Sequence, residues 1–165
     1  MNYIIMGVSG CGKSVIGAGF AQAIGAKFID GDDLHPTANV AKMAAGTPLN
    51  DDDRAPWLAD VGNTFLTHDG ATVIGCSALK RSYRDIIRSA AGAPVMFLHL
   101  HGDRAVIAAR MNAREGHFMP PLLLDSQFAA LEVPSPDEAA VIVNIDQTPE
   151  AIIAELVAKT TKETI

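Results

Sequence analysis

The feature that most constrains this chain is the segment Gly7–Ser14, which fills every fixed position of the pattern G-x-x-x-x-G-K-[ST]. In that pattern, backbone N–H groups surround nucleotide phosphates, the lysine reaches the β- and γ-phosphates, and the hydroxyl holds Mg²⁺. The flanks agree, because Asn2–Met6 is an apolar run typical of a buried strand and Val15–Ile24 is compatible with a helix. A helix would therefore begin beneath a phosphate group. The expected nucleotide-binding residues are Gly7, Val8, Ser9, Gly10, Cys11, Gly12, Lys13 and Ser14.

Composition narrows the class of protein. The 165 residues suit one domain, and 48% hydrophobic residues suffice for a core without any run that approaches the length of a membrane span. A formal net charge of −6 disfavours nucleic acid as a partner. Cys11 and Cys76 are the only cysteines, too few for a disulfide framework, and no secretory signal is visible. We therefore expect a cytoplasmic protein that binds neither nucleic acid nor membranes.

Five short apolar runs alternate with helix-compatible stretches, which predicts βαβ units and a parallel sheet. The runs are Tyr3–Met6, Lys27–Ile29, Thr72–Gly75, Val95–Leu100 and Val141–Ile145. Because ligands bind at the carboxyl ends of such strands, the residues after each run are the candidates for a site.

Asp30 and Asp32 follow the second run with one residue between them. In an extended segment both carboxylates would face the same side. One could bind Mg²⁺, and the other could accept the proton of a substrate hydroxyl during phosphoryl transfer. The competing interpretation is an N-terminal cap for the next helix.

Charged residues elsewhere allow two interpretations each. Arg54 could form a surface salt bridge or hold a substrate carboxylate in a bidentate grip. Arg110 and Arg114 share a helix face that ends at a Gly- and Pro-containing break, which predicts either a closing lid or an exposed basic helix. His35 suits a polar substrate or a structural role equally well.

Several longer runs form a specific series that spans most of the chain. They are His35–Met43, Gly46–Arg54, Pro56–Leu58, Cys76–Lys80, Tyr83–Asp85, Gly116–Pro120 and Ser126–Phe128. With this series the sequence closely resembles the gluconokinases, small kinases related in fold to shikimate and adenylate kinases.

The resemblance implies ATP-dependent phosphorylation of D-gluconate to 6-phosphogluconate, with Mg²⁺ as a cofactor. It also implies an α/β P-loop kinase fold over residues 1–165, with a five-stranded parallel sheet of order 2-3-1-4-5. The substrate-binding segment would cover about residues 32–60, and a mobile lid would cover about residues 110–125.

The resemblance also implies roles for individual residues. Asp32 would hold the acceptor hydroxyl, and Asp30 would lie near the Mg²⁺ that Ser14 binds. Arg54 would meet the gluconate carboxylate. Lys13, Arg110 and Arg114 would act on the phosphates, with Arg110 also contacting the nucleotide. Further substrate-cleft residues would be His35, Ser77, Lys80, His117 and Gln127.

Two alternatives stay open at this point. One is a kinase of the same fold with another acceptor, such as shikimate or a nucleoside monophosphate. The other is a nucleotide-binding module without an acceptor, although the chain lacks the Asn-Lys-x-Asp motif of guanine-specific proteins. Whether the protein forms a homodimer is also left open.

Overall fold

The structure is a computed structural model that describes residues 1–113 and 121–163. Its strands are β1 Asn2–Met6, β2 Lys27–Asp30, β3 Thr72–Gly75, β4 Val95–His101 and β5 Ala140–Asn144. Its α-helices are α1 Lys13–Ile24, α2 Thr37–Ala44, α3 Asp51–Thr64, α4 Arg81–Ala91, α5 Arg104–Ala113, α6 Pro121–Ala130 and α7 Pro149–Glu163. Short 3₁₀ helices cover Gly31–Leu34 and Phe65–Thr67. Within the described ranges, no helix has both the length and the apolar character needed to cross a membrane.

The five strands form one parallel sheet in the order β2-β3-β1-β4-β5. This confirms the order that the sequence predicted. In the central strand, Ile4 pairs with Ile74 of β3 on one side and with Phe97 of β4 on the other. Because all strands run in the same direction, the loops after β1, β2 and β3 meet at one edge of the sheet.

Helices cover both faces of the sheet, which explains why the inner strands β1, β3 and β4 are continuous buried runs, whereas the edge strand β5 alternates between buried and exposed residues. Ile4 faces a core with Trp57 of α3 and Ile87 of α4. Its neighbour Ile5 belongs to the opposite core, with Phe20 of α1. Trp57 is 4% exposed and therefore belongs to the core.

Candidate active site

The segment Gly7–Ser14, called the phosphate loop below, connects β1 to α1 at the carboxyl edge of the sheet. Gly7 has a φ of 148°, and a Cβ there would lie 2.8 Å from the Cys11 sulfur and 2.9 Å from the Leu100 carbonyl oxygen. Gly12, at a φ of 96°, precedes α1 without a capping side chain, and the first turn of α1 holds no acidic residue. The N-terminus of α1 can therefore accept an anion.

Lys13 lies over this loop. Its Nζ donates to the carbonyl oxygens of Gly7 at 2.9 Å and Val8 at 3.2 Å. The Cys11 sulfur is 3.9 Å from the same Nζ, and burial raises the pKa of the Cys11 thiol. Cys11 thus fills the loop as a neutral, buried thiol beneath the lysine.

Gln127 reaches the phosphate loop from α6. Its Nε2 donates to Ser9 Oγ at 2.9 Å, and its Oε1 accepts from the Ser9 backbone N–H at 2.7 Å. Sequence reasoning grouped Gln127 with the substrate residues, whereas here both ends of its amide bind the loop. Gln127 therefore contributes to the shape of the phosphate loop.

The predicted lid is described only in part. Arg110, on α5, donates through Nη2 to the carbonyl oxygens of Ile145 and Gln147, just after β5. Burial raises the pKa of the Cys11 thiol, and the charge of Arg110 acts weakly against this effect. The predicted site residues Arg114 and His117 lie outside the described residues.

Asp30 is the last residue of β2, which ends one residue later than the apolar run in the sequence, and Asp32 lies in the 3₁₀ helix that follows. Asp30 Oδ1 accepts from the Asp32 backbone N–H at 3.0 Å and so caps the 3₁₀ helix that begins at Gly31. The capping interpretation therefore describes the Asp30 side chain in this structure. A Cβ on Gly31 would lie 2.3 Å from the Gly75 carbonyl oxygen, so only glycine allows this turn to approach β3 so closely.

The electrostatics around Asp32 link it to the phosphate loop. Loss of solvent and then the charge of Asp30 raise the pKa of Asp32, while Lys13 and protonated His35 lower it. A carboxylate with a raised pKa is a better proton acceptor than an ordinary aspartate. Lys13 of the phosphate loop and Asp32 are thus within electrostatic reach of each other.

His35 is a further charge partner of Asp32. Its ring stacks on Trp57 with centroids 4.0 Å apart and an interplanar angle of 15°, and its Nδ1 is 3.3 Å from Asn39 Nδ2. Burial lowers the pKa of His35, Asp32 raises it, and Arg54 lowers it. The charges of both Asp32 and Arg54 therefore reach the His35 ring.

Asp51, Arg54, Lys80 and Tyr83 form a compact group that we call the Tyr83 cluster. Tyr83 Oη donates to Asp51 Oδ1 at 2.5 Å and accepts from Arg54 Nη1 at 3.4 Å. Asp51 also lies 3.8 Å from Arg54 Nη1 and 3.5 Å from Lys80 Nζ. The Arg54 Cζ and the Lys80 Nζ lie 5.7 and 5.5 Å from the centroid of the Tyr83 ring. Sequence reasoning predicted the two cations but missed Asp51 and Tyr83.

Ser77 and Lys80 are positioned by the loop Cys76–Lys80, which is anchored from both sides. The Ser77 carbonyl oxygen accepts from the Gly7 N–H at 3.2 Å, so this loop contacts the phosphate loop directly. Arg84 donates to the carbonyl oxygens of Ala78 at 2.9 Å and Leu79 at 3.2 Å.

A buried ion pair holds Arg84 in this position. Its Nε and Nη2 donate to the two carboxylate oxygens of Glu138 at 2.7 and 3.0 Å, and each side chain is 1% exposed. Sequence reasoning missed this pair, because the two residues lie 54 positions apart. The pair supports the loop that carries Ser77 and Lys80 without being part of the cleft.

Glu138→Gln is expected to reduce the free energy of unfolding by about 3 kcal/mol at pH 7, because Arg84 stays charged and buried without its counter-charge. Hydrogen bonds from Arg84 hold the pKa of Glu138 well below its usual range. Ionised Glu138 therefore stabilises the fold above the unfolded-chain pKa of about 4.3, and this contribution is lost as the pH falls below that value. Wild type should thus lose more stability between pH 6 and pH 3 than the variant does.

Urea unfolding followed by circular dichroism measures both effects. Asp85→Asn is the matched control, because Asp85 is exposed and, among the described residues, forms its ion pair with Arg88 at 3.0 Å. Equal destabilisation by the two substitutions at pH 7 would contradict the stabilising role of the buried Arg84–Glu138 ion pair.

The donor groups near the phosphate loop fit Mg²⁺. This ion takes few protein ligands and completes its shell with water and phosphate oxygens. Ser14 is exposed at the start of α1, and Asp30 is half-buried at the end of β2. Among residues 1–113 and 121–163, no three His, Cys, Asp or Glu side chains group into a ready-made metal cage. One hydroxyl and one carboxylate beside bound phosphates are a sufficient donor set.

Comparison with known proteins agrees with this geometry. The family profile described as an AAA domain matches residues 3–134. The thermosensitive gluconokinase of Escherichia coli (strain K12) is 52% identical over 149 residues, which cover 88% of this chain and 78% of that protein. The chain belongs to the gluconokinase family. The family inferred from the sequence motifs is thereby confirmed, and with it an enzyme of the ATP-using kinase class.

Two further gluconokinases match over most of their length. That of Gluconobacter oxydans (strain 621H) is 45% identical over 163 residues, which cover 93% of this chain and 88% of that protein. The crystal structure of a gluconokinase from Sinorhizobium meliloti 1021 superposes with a TM-score of 0.89 at 46% identity, and the match covers 98% of this chain and 91% of that one. The gluconokinase fold therefore extends over nearly the whole chain.

Proposed function

We propose that this protein transfers the γ-phosphoryl group of ATP to the C6 hydroxyl of D-gluconate. The observation that carries the proposal is the order of its charged groups. The charges of Lys13 and His35 both act on Asp32. The Gly7 N–H donates to the Ser77 carbonyl oxygen at 3.2 Å, so the loop that carries Lys80 contacts the phosphate loop. Lys80 lies 3.5 Å from Asp51, which in turn lies 3.8 Å from Arg54, so the Arg54 cation follows at the other end of this loop. An extended sugar acid has a hydroxyl at one end and a carboxylate at the other, which matches a base near the phosphates and a cation beyond it.

At the phosphate end, the amides of the phosphate loop and the Lys13 ammonium hold the β- and γ-phosphates. Ser14 and Asp30 would hold Mg²⁺, which neutralises phosphate charge when it is bound. Arg110 and Arg114 add positive charge where negative charge develops on the phosphate oxygens during transfer. Gln127 supports this end through its two hydrogen bonds to Ser9.

At the reacting end, Asp32 accepts a hydrogen bond from the C6 hydroxyl and takes its proton. The oxygen of that hydroxyl forms a bond to the γ-phosphorus as the bond from phosphorus to the leaving oxygen of ADP breaks. Most of the rate enhancement in such a transfer comes from positioning and electrostatic stabilisation. The raised pKa of Asp32 suits the role of proton acceptor.

At the acid end, Arg54 and Lys80 bind the carboxylate, and His35, Ser77 and His117 contact the hydroxyl-bearing chain. Arg54 is well suited, because a guanidinium can bind a carboxylate with two parallel hydrogen bonds. Only its Nη1 is engaged by Tyr83 and Asp51 in this structure, so the remaining donors face no competing partner among the described residues.

The direct test measures ADP release by the purified protein with Mg-ATP and one of four additions: gluconate, shikimate, AMP or no acceptor. We expect release that depends on gluconate alone. A response to shikimate or AMP would favour another acceptor, and ATP consumption that is independent of any acceptor would favour a nucleotide-binding module.

Arg54→Met is expected to raise the KM for gluconate by about 10- to 100-fold, since a charge-assisted hydrogen bond contributes about 1.5–3 kcal/mol. The KM for ATP should stay within about threefold of wild type. Lys159→Met is the control, because it removes one exposed positive charge from α7, where Lys159 pairs with Glu155 at 3.1 Å. Equal KM changes for gluconate and ATP would contradict a role at the acid end.

We propose further that residues 1–165 work as a single kinase domain in the cytoplasm, on small molecules and without nucleic-acid or membrane partners. The net charge of −6 and the buried free thiols of Cys11 and Cys76 support this setting. The substrate-binding segment of about residues 32–60 would supply Asp32, His35 and Arg54, and the lid of about residues 110–125 would close over the phosphates. The oligomeric state, including a homodimer, stays open.

A further inference from the structure

The Tyr83 cluster contains one carboxylate, that of Asp51, which is not needed to bind an anion. Two cations, Arg54 and Lys80, share the single carboxylate of Asp51. Tyr83 Oη donates a hydrogen bond to that carboxylate at 2.5 Å. The formal charge of the cluster is therefore +1 rather than +2.

This arrangement leaves donors available for a ligand. Lys80 and Arg54 are 34% and 32% exposed, and Asp51 is 63% exposed at the start of α3. Asp51 thus lies at the open side of the cluster, next to any anion that the two cations bind. The hydrogen bond from Tyr83 lowers the pKa of Asp51, which keeps the carboxylate charged near neutral pH.

We propose that Asp51 is a specificity-determining residue that matches the charge of the cluster to a singly charged acid. The inference rests on the proposed function, because it assigns Arg54 and Lys80 to the substrate carboxylate. A substrate with one negative charge at that end brings the group to neutrality. A substrate with two negative charges leaves an excess negative charge beside Asp51, and the repulsion excludes it.

The other acids of the α3 N-terminus do not share this position. Asp53 is engaged by Lys42 at 2.5 Å and by the Asn50 N–H at 2.9 Å, as part of a capping box. Asp52 is exposed and contacts neither Arg54 nor Lys80. Asp52 therefore provides a matched control for Asp51, with the same charge in the same helical turn.

The test compares two substrates that differ only at the acid end. D-gluconate carries one negative charge there, and D-glucitol 1-phosphate carries two at pH 8. Both have the same C6 hydroxyl and the same configuration at C2 to C5. The readout is the ratio of kcat/KM for the phosphate-terminated substrate to that for gluconate. A ratio cancels any general effect of a substitution on folding or on ATP use.

Asp51→Asn is expected to raise this ratio by about tenfold, the size of one charge–charge interaction at a protein edge. Asp52→Asn should leave the ratio unchanged. Asp51→Glu retains the charge and should keep the wild-type ratio even if its absolute rates fall.

The failures of the two proposals are distinguishable. If wild-type protein phosphorylates gluconate but Asp51→Asn and Asp52→Asn give the same ratio, the charge-matching role is overturned while the proposed function stands. An unchanged ratio in Asp51→Asn overturns it equally. If wild-type protein does not use gluconate, the proposed function itself fails, and the inference falls with it.

Discussion

Lys13→Ala is expected to reduce kcat for gluconate phosphorylation by on the order of 10³-fold, the loss typical of removing one preorganised charge from a transition state. Lys13 is the cation of the phosphate loop, and its Nζ already sits 2.9 Å from the Gly7 carbonyl oxygen. Truncation therefore removes a positive charge from the place where negative charge develops during transfer, while the backbone amides of the loop remain. Initial rates of ADP release at saturating ATP and gluconate measure the effect.

Lys27→Ala is the control for this experiment. Lys27 lies at the start of β2, and within the described part of the chain its Nζ contacts His68 Nε2 at 3.1 Å. This variant should keep rates within about twofold of wild type. A Lys13→Ala protein that unfolds at the wild-type temperature and retains more than a tenth of wild-type kcat would contradict the proposed phosphate end.

Asp32→Asn is expected to lower kcat by about 10²- to 10⁴-fold, the contribution of a positioned general base. The substituted amide can still orient the C6 hydroxyl, but it cannot take its proton. The KM for gluconate should change much less than kcat, because the acid-end contacts remain. Single-turnover measurements with Mg-ATP separate the chemical step from product release.

Asp33→Asn is the matched control for Asp32. The Asp33 charge is one of the causes that raise the pKa of Asp32. Its removal should therefore preserve the rate and move the acid limb of the kcat profile to slightly lower pH. Equal rate losses in the two variants would contradict the assignment of Asp32 as the base.

The phosphate loop could be predicted from the sequence because its determinants are local. Glycines at positive φ, an uncapped helix N-terminus and a lysine at the first helical position all lie within the eight residues Gly7–Ser14. The sheet order followed from the family resemblance, and the strand positions followed from apolar runs, of which β1, β3 and β4 are buried on both faces. Asp30 and Asp32 could be placed because they lie at the carboxyl end of a strand.

The supporting contacts could not be predicted, because they depend on packing between distant segments. Asp51 and Tyr83 lie 32 positions apart and meet through the packing of α3 on α4. Gln127 and Ser9 lie 118 positions apart, and no motif spacing indicates that they bind each other. Arg84 is fully buried whereas Arg81 of the same helix is exposed, a difference that charge alone does not reveal.

The most direct test of the central claim is identification of the product. Purified protein is incubated with Mg-ATP and D-gluconate, and the product is analysed by proton-coupled ³¹P NMR. The account predicts one new phosphate monoester, coupled to the two protons of the C6 methylene and formed in equal amount to ADP. Two results would contradict it. One is ADP formation without a sugar-acid phosphate, and the other is a phosphate coupled to a single proton, as expected for an ester of a secondary alcohol.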